Sequence, residues 1–123
     1  MITIEYDGEP LGKERPRFNK KTGGVFTPKK TRNAEDRVAW YAKAQNAGVD
    51  MPLDGPLVVT LSFWTTHTGE TPIGRIDCDN ALKLVMDALN GICWHDDFQV
   101  EQINAYLFRG AEEAKTSIVI RPL

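Results

Sequence analysis

The spacing of apolar side chains predicts four main strands in this chain. Residues 2–6, 57–64, 99–108 and 116–120 place apolar side chains at alternate positions, the period of a strand that buries one face. The last two segments are separated by a short glycine-containing stretch, so we expect them to pair as a β-hairpin.

Two other segments have the period of an amphipathic helix. We expect the first to be capped by Thr31 or Asn33 and to run to about residue 47, before Gly48. The second is predicted over residues 79–89 and ends at Asn90-Gly91. The predicted apolar stripes are Ala34, Val38, Tyr41 and Ala42 in the first helix, and Leu82, Val85, Met86 and Leu89 in the second.

The order of these elements predicts an α+β fold. Residues 7–30 are rich in glycine, proline and lysine, and Phe18 and Val25-Phe26 are the expected arms of a small hairpin around residues 20–24. We therefore predict a single domain over residues 1–123, in which a mixed β-sheet packs against two helices.

Composition sets limits on the class of protein. The chain has 123 residues, of which 41% are hydrophobic and 26% charged, as in an ordinary globular domain. It has neither an apolar run long enough for a membrane span nor a signal peptide at its start, so we expect a cytoplasmic protein without membrane contact. Cys78 and Cys93 do not form a disulfide framework, and their spacing from His67 and His95 matches no zinc pattern.

The net charge of −2 conceals a strong asymmetry along the chain. Residues 13–32 carry eight Lys or Arg and one acid, whereas the part from residue 33 has seven basic and thirteen acidic residues. We interpret residues 8–32 as a basic arm for a phosphate backbone; a solvated basic loop is the alternative. The predicted DNA contacts are Lys13, Arg15, Arg17, Lys29 and Lys30 in the arm, with Arg75 beside the acidic motif.

An acidic site is predicted over residues 75–97. Asp77 and Asp79 are one residue apart, and Lys83 and Asp87 follow at helical spacing on the same face as Asp79. Carboxylates placed so closely repel each other unless a cation lies between them, and Mg²⁺ or Mn²⁺ prefers such oxygen ligands. The pattern therefore favours metal-dependent phosphodiester cleavage.

Within this site each residue has a predicted role and an alternative. Asp77, Asp79 and Asp97 are the expected ligands, and Lys83 is expected to donate to a non-bridging or leaving oxygen. Asp79 could be only a helix cap, Lys83 only an ion-pair partner, and Asp96-Asp97 only a solvated turn.

Three further residues beside the motif are interpreted more simply. Asp87 is expected to support the site rather than bind metal. His95 is expected to be a bystander rather than a proton shuttle, and Trp94 to belong to the core.

Three motifs together resemble the RusA family of Holliday-junction resolvases, in particular its phage and prophage branch. They are Arg-x-Asp-x-Asp-Asn-x-x-Lys at 75–83, Asp-Ala-Leu at 87–89 and Trp-His-Asp-Asp-Phe-Gln-Val at 94–100. The N-terminal Gly-Lys-Glu-Arg-Pro-Arg-Phe at 12–18 and Thr-Pro-Lys-Lys-Thr at 27–31 add to the likeness.

The resemblance implies a homodimeric, Mg²⁺-dependent endodeoxyribonuclease, with Mn²⁺ as an alternative metal, that nicks a four-way DNA junction symmetrically in recombination and repair. By position, Asp77, Asp79 and Asp97 correspond to the catalytic metal ligands and Lys83 to the catalytic lysine. Gln99-Val100 favours Asp97 over Asp96 as the ligand, which leaves Asp96 and Asp87 in supporting roles.

Two other functions remain open on sequence grounds. One is a nuclease for other branched or flapped DNA in phage genome processing, and the other is a catalytically silent DNA-binding protein. The aspartates and Lys83 disfavour the silent binder, because negative charge near phosphate brings it no benefit. Leu84, off the predicted stripe of the second helix, is the candidate dimer contact.

Overall fold

A computed structural model describes residues 1–14, 17–72 and 74–123, with Arg17 described by its backbone alone. It confirms the α+β class, since a mixed four-stranded sheet packs against two helices. In chain order the elements are β1 (Ile2–Asp7), β2 (Arg17–Phe18), β3 (Val25–Phe26), α1 (Lys29–Gln45), β4 (Leu57–Trp64), α2 (Cys78–Leu89) and, after a 3₁₀ turn at Asp97–Gln99, β5 (Val100–Phe108) and β6 (Lys115–Pro122).

The sheet has the order β1-β6-β4-β5, so the predicted hairpin between the last two strands is wrong. β5 instead pairs in parallel with β4, while β6 lies antiparallel between β4 and β1. A parallel pair requires a long crossover, and α2 provides it between β4 and β5. β6 is central because Thr116, Ile118 and Ile120 are all buried, whereas β5 is largely exposed.

The hydrophobic core lies between one face of the sheet and the two helices. Leu57, Val59, Leu61 and Phe63 face the helices from β4, which confirms the predicted inward face of that strand. Trp94 is fully buried in the same core, as predicted. The small β2–β3 hairpin lies outside this sheet and is also confirmed.

Both helices begin earlier than predicted. α1 starts at Lys29, and the cap position is Pro28, whose side chain has no group that could accept a hydrogen bond. The predicted cap Thr31 is instead buried inside the first turn. α2 starts at Cys78, so Asp77 occupies the cap position and Asp79 lies in the first turn. Asp79 is therefore not the helix cap.

The buried face of α2 also differs from the predicted stripe. Leu84 is 3% exposed and belongs to the core, so its assignment as a dimer contact is wrong. α2 packs against both α1 and the sheet, and the helix face that contains Ala81 and Ala88 is turned toward these elements. Leu82 and Met86 are therefore only half-buried. The buried residues of α2 are Ala81, Leu84, Val85, Ala88 and Leu89.

Two further observations concern the environment of the chain. Both cysteines carry free thiols, and burial raises the pKa of Cys93 to about 12, which leaves it unreactive at neutral pH. No helix in the described part of the chain is long and apolar enough to cross a membrane.

Truncation of two neighbouring leucines tests this packing. Leu84→Ala is expected to lower the free energy of unfolding by about 2–5 kcal/mol, the cost of a buried cavity. Leu82→Ala should cost less than half as much, because Leu82 is half-buried. Urea unfolding of both variants measures the difference, and equal losses would contradict the observed orientation of α2.

Candidate active site

Two predicted ligands, Asp77 and Asp79, lie at the amino-terminal end of α2. The carbonyl of Asp77 accepts the first helical hydrogen bond, from Ala81 at 3.1 Å, and its carboxylate receives a long contact of 3.5 Å from Asn80 Nδ2. Asp79 lies in the first turn, where the helix dipole favours negative charge. Both carboxylates are exposed and accessible to a ligand.

Lys83 lies one helical turn after Asp79. Its Nζ is 3.8 Å from Asp79 Oδ2, and both side chains are more than 60% exposed. An exposed pair at this distance contributes little to stability. The ammonium therefore remains available to another anion in the neighbourhood of Asp79.

A groove of about 240 Å³ brings Asp77 together with two predicted DNA contacts. Its wall includes Lys30 from the first turn of α1, Arg75 from the preceding loop, and Asn80 from α2. Lys29 and Lys30 begin α1 although cations are unfavourable at that end of a helix dipole. Their ammonium groups and the uncapped helix N-terminus both favour an anion such as phosphate.

The start of α2 is held by contacts that sequence reasoning missed. Arg109, just after β5, donates from Nη2 to the carbonyl of Ile76 at 2.9 Å. Gly12 passes so close to α2 that a Cβ there would lie 3.3 Å from the Cβ of Asn80. No local sequence signal predicts these two contacts, since the partners lie far away along the chain.

Glu9 is a third residue that the sequence did not single out. Its carboxylate accepts hydrogen bonds from the hydroxyl of Thr66, from Thr65 Oγ1 at 2.7 Å and from the Thr66 amide at 3.1 Å. Partial burial acts to raise the pKa of Glu9, but these hydrogen bonds outweigh it and hold the pKa below its usual value. Glu9 thus ties the start of the basic arm to the loop after β4.

Asp97, the third predicted ligand, lies in the turn between α2 and β5. Its Oδ1 accepts a 2.8 Å hydrogen bond from the indole of the buried Trp94. Asp96 caps the turn through the Phe98 amide at 2.9 Å, and Gln99 Oε1 accepts from the amides of His95 and Asp96. Both carboxylates are exposed; that of Asp96 caps the turn, whereas that of Asp97 uses one oxygen for the indole.

His95 lies at the same end of the molecule. Its Nε2 is 2.8 Å from Asp54 Oδ1, and both side chains are largely exposed. This contact joins the turn to the segment before β4 and involves none of the predicted ligands.

The two parts of the predicted site lie at opposite ends of α2 within one chain. Trp94 contacts Asn90 just after the helix, whereas Asp77 precedes its first residue. Twelve helical residues span about 18 Å. β5 runs back along this distance, since Asp97 precedes it and Arg109 after it contacts Ile76.

Accordingly, no three His, Cys, Asp or Glu side chains form a metal-binding group among the residues that the structure describes. The donor chemistry nevertheless suits a hard divalent ion, since Asp77 and Asp79 offer two exposed carboxylates at one place. Mg²⁺ in particular uses one or two protein carboxylates together with water and substrate phosphate.

The basic arm is described only in part. Arg15 and the side chain of Arg17 lie outside the described residues. Lys13 is half-buried, and its Nζ lies 2.8 Å from Glu35 Oε1 and 3.2 Å from Asp87 Oδ2. A phosphate contact by Lys13 would have to compete with these two carboxylates.

A comparison with known protein families decides the affiliation. The family model of the endodeoxyribonuclease RusA matches residues 7–121 of the chain. The chain belongs to the RusA family. No curated protein matches the sequence.

Membership in the RusA family makes this chain an endodeoxyribonuclease, and the activity of the family is directed at Holliday junctions. The match covers the acidic motif, the turn with Asp97 and all of the basic arm. The resemblance seen in the motifs is thereby confirmed for the family; the phage branch remains a prediction.

Replacement of the indole that holds Asp97 tests how the turn is positioned. In this RusA-family chain, Trp94→Phe is expected to cost about 1–3 kcal/mol of stability and to lower DNA cleavage, because Asp97 loses its hydrogen-bond donor. Leu89→Val is the matched control, since Leu89 is buried in the same core. Urea unfolding and junction cleavage are measured on both; an equal loss of cleavage would mean that Trp94 acts through packing alone.

Proposed function

We propose that this RusA-family protein is a metal-dependent resolvase that cuts the two symmetry-related strands of a four-way DNA junction. The observation that carries the proposal is the groove at the start of α2. There an exposed ligand-type carboxylate, Asp77, adjoins two cationic side chains suited to a DNA backbone, Lys30 and Arg75. Carboxylates for a metal beside cations for phosphate are the combination that phosphodiester cleavage requires.

In this proposal Asp77, Asp79 and Asp97 hold Mg²⁺, with Mn²⁺ as an alternative. The bound ion would supply an activated water and neutralise charge on the phosphate. Asp97 is favoured over Asp96 because Asp96 already caps the turn. The Trp94 indole orients Asp97 while leaving its second oxygen for a ligand.

The cationic side chains have separate tasks. Lys83, paired only weakly with Asp79, donates to a non-bridging or leaving oxygen of the scissile phosphate. Lys30 and Arg75 position the backbone in the groove, and Lys29 extends the cationic surface along the start of α1. Contacts of this kind carry no base sequence, so recognition rests mainly on the shape of the junction.

We further propose that the active form is a two-fold homodimer. Two symmetric nicks require two sites related by symmetry, which a dimer supplies. The distance between Asp97 and the other two aspartates gives a second reason. An aspartate from a second copy can complete a site that a rigid helix of about 18 Å divides within one chain.

The exposed edge of β5 is the surface best suited to this contact. Among the described strands β5 pairs only with β4, and its Ile103 is 43% exposed; Leu82 and Met86 of α2 are also only half-buried. Two β5 strands paired antiparallel would bring the turn with Asp97 of one copy to the Arg109 end of the other. The acidic turn and Arg109 are also complementary in charge.

The catalytic assignment is tested with a labelled synthetic junction, beside linear duplex, flap and fork DNA. The wild type with Mg²⁺ is expected to give paired symmetric nicks on the junction alone, lost with EDTA. Asp79→Asn should reduce cleavage at least about a hundredfold while binding persists or tightens, because a charge near phosphate is removed. Asp50→Asn, in the exposed turn after α1, is the matched control.

Retained cleavage by Asp79→Asn would contradict the site. Cleavage of flaps or forks in place of the junction would keep the aspartates and change the substrate. Tight binding without any cleavage would favour a silent binder.

Mixing two inactive variants tests the shared site. In the proposed dimer, each site takes Asp77 and Asp79 from one chain and Asp97 from the other. A mixed dimer of an Asp79→Asn chain and an Asp97→Asn chain therefore has one site with both substitutions and one site with neither. Mixed dimers are therefore expected to recover nicking of one strand, although each variant alone is inactive. If each chain supplied all its own ligands, both sites would carry a substitution and the mixture would stay inactive.

A further inference from the structure

Lys13 makes the most connected ion-pair cluster in the described part of the chain. Its ammonium lies 2.8 Å from Glu35 on α1 and 3.2 Å from Asp87 on α2, and its amide donates to the carbonyl of Asn80 at 3.0 Å. Its side chain is 21% exposed. Burial acts to lower the pKa of Lys13, but the hydrogen bonds to Glu35 and Asp87 outweigh it and raise the pKa.

This ion-pair cluster affects the surroundings of Lys83, whose ammonium group is the one proposed to take part in cleavage. On α2, Asp79 and Asp87 lie one turn before and one turn after Lys83, so either carboxylate can reach the same ammonium. Asp79 is paired with Lys83 at 3.8 Å, whereas the carboxylate of Asp87 is turned to Lys13. Lys83 thus pairs with Asp79, and Lys13 pairs with Asp87.

We propose that Lys13 is a positioning residue, which holds Asp87 away from Lys83 and so leaves the Lys83 ammonium beside Asp79 and the scissile phosphate. The inference rests on the proposed catalytic role of Lys83. Without Lys13, Asp87 becomes an unpaired carboxylate next to Lys83 and draws the ammonium toward the carboxyl-terminal half of α2, away from Asp77 and Asp79.

This role differs from the phosphate contact that the sequence suggested for Lys13. A phosphate contact contributes to binding and to its salt dependence. A residue that positions Lys83 through Asp87 contributes to the rate of cleavage on bound DNA, and its loss can be repaired by neutralising Asp87.

The experiment measures single-turnover cleavage of a saturating junction and, separately, the junction Kd at several salt concentrations. Lys13→Met is expected to slow cleavage roughly tenfold, which is less than the complete loss of a positioned proton donor would cause. The Kd for the junction is expected to change by less than about twofold. Lys13→Arg, which keeps a cation between the two carboxylates, should restore most of the rate. Lys30→Met is the matched control, expected to weaken binding and flatten its salt dependence.

The double variant Lys13→Met with Asp87→Asn decides the mechanism. If Lys13 acts through Asp87, the second substitution brings the rate back to within about threefold of wild type. If the double variant remains as slow as Lys13→Met, the inference is overturned, and Lys13 serves only to attach the arm to the helices. A higher Kd with a smaller salt slope for Lys13→Met would overturn it in favour of a phosphate contact.

A double-mutant cycle in urea unfolding separates this inference from the proposed nuclease function. Lys13→Met and Asp87→Asn are expected to be non-additive in the unfolding midpoint, because each removes the partner of the other. Additive effects would overturn the ion pair whatever the DNA assay gives. If the two substitutions are coupled but the wild-type protein cuts no junction, the ion pair is present and the proposed nuclease function is wrong.

Discussion

The rigidity of α2 is the constraint on which the site depends. The helix presents Asp79 and Lys83 on one exposed face, and its core face is fixed by five buried side chains. Because its length is set by hydrogen-bonded turns, it also fixes how far the Asp77 end lies from the turn that carries Asp97. No side-chain rotation within one chain spans a distance of about 18 Å. The start of α2 and the turn with Asp97 therefore stay apart within one chain.

A second requirement is to keep charged groups of opposite sign close together without mutual neutralisation. The chain separates them by local pairing. Asp87 and Glu35 are paired with Lys13, Asp96 is used to cap a turn, and Glu9 is bound by two threonines. The exposed Asp77 and Asp79, with Lys83, Lys30 and Arg75 near them, are left accessible to solvent and ligands. Ordinary ion pairs and caps thus determine which carboxylates remain accessible.

Contacts between distant parts of the chain hold this arrangement in place. Arg109 after β5 fixes the carbonyl before Asp77, and Gly12 allows the first part of the arm to approach α2 closely. Glu9 joins the same segment to the loop after β4. The ends of β4 and β5 and the start of α2 therefore meet at one place, and the basic arm departs from there. The first residues of the arm therefore lie beside the acidic groove.

Local periodicity by itself determined the four strands of the sheet, the two helices and the α+β class, because the alternation of side chains reflects which face of each element is buried. The small hairpin was predicted from the composition of residues 7–30. The motif with Asp77, Asp79 and Lys83 and the family were equally available from sequence, since spacing along one helix fixes which side chains are neighbours. Only the tertiary structure decided that β6 lies between β1 and β4, that Leu84 is buried, and that Lys13 serves two carboxylates. It alone separated Asp97 from its predicted partners. Each of these depends on which elements meet in space, and that is set by the summed packing of the whole core rather than by any one segment.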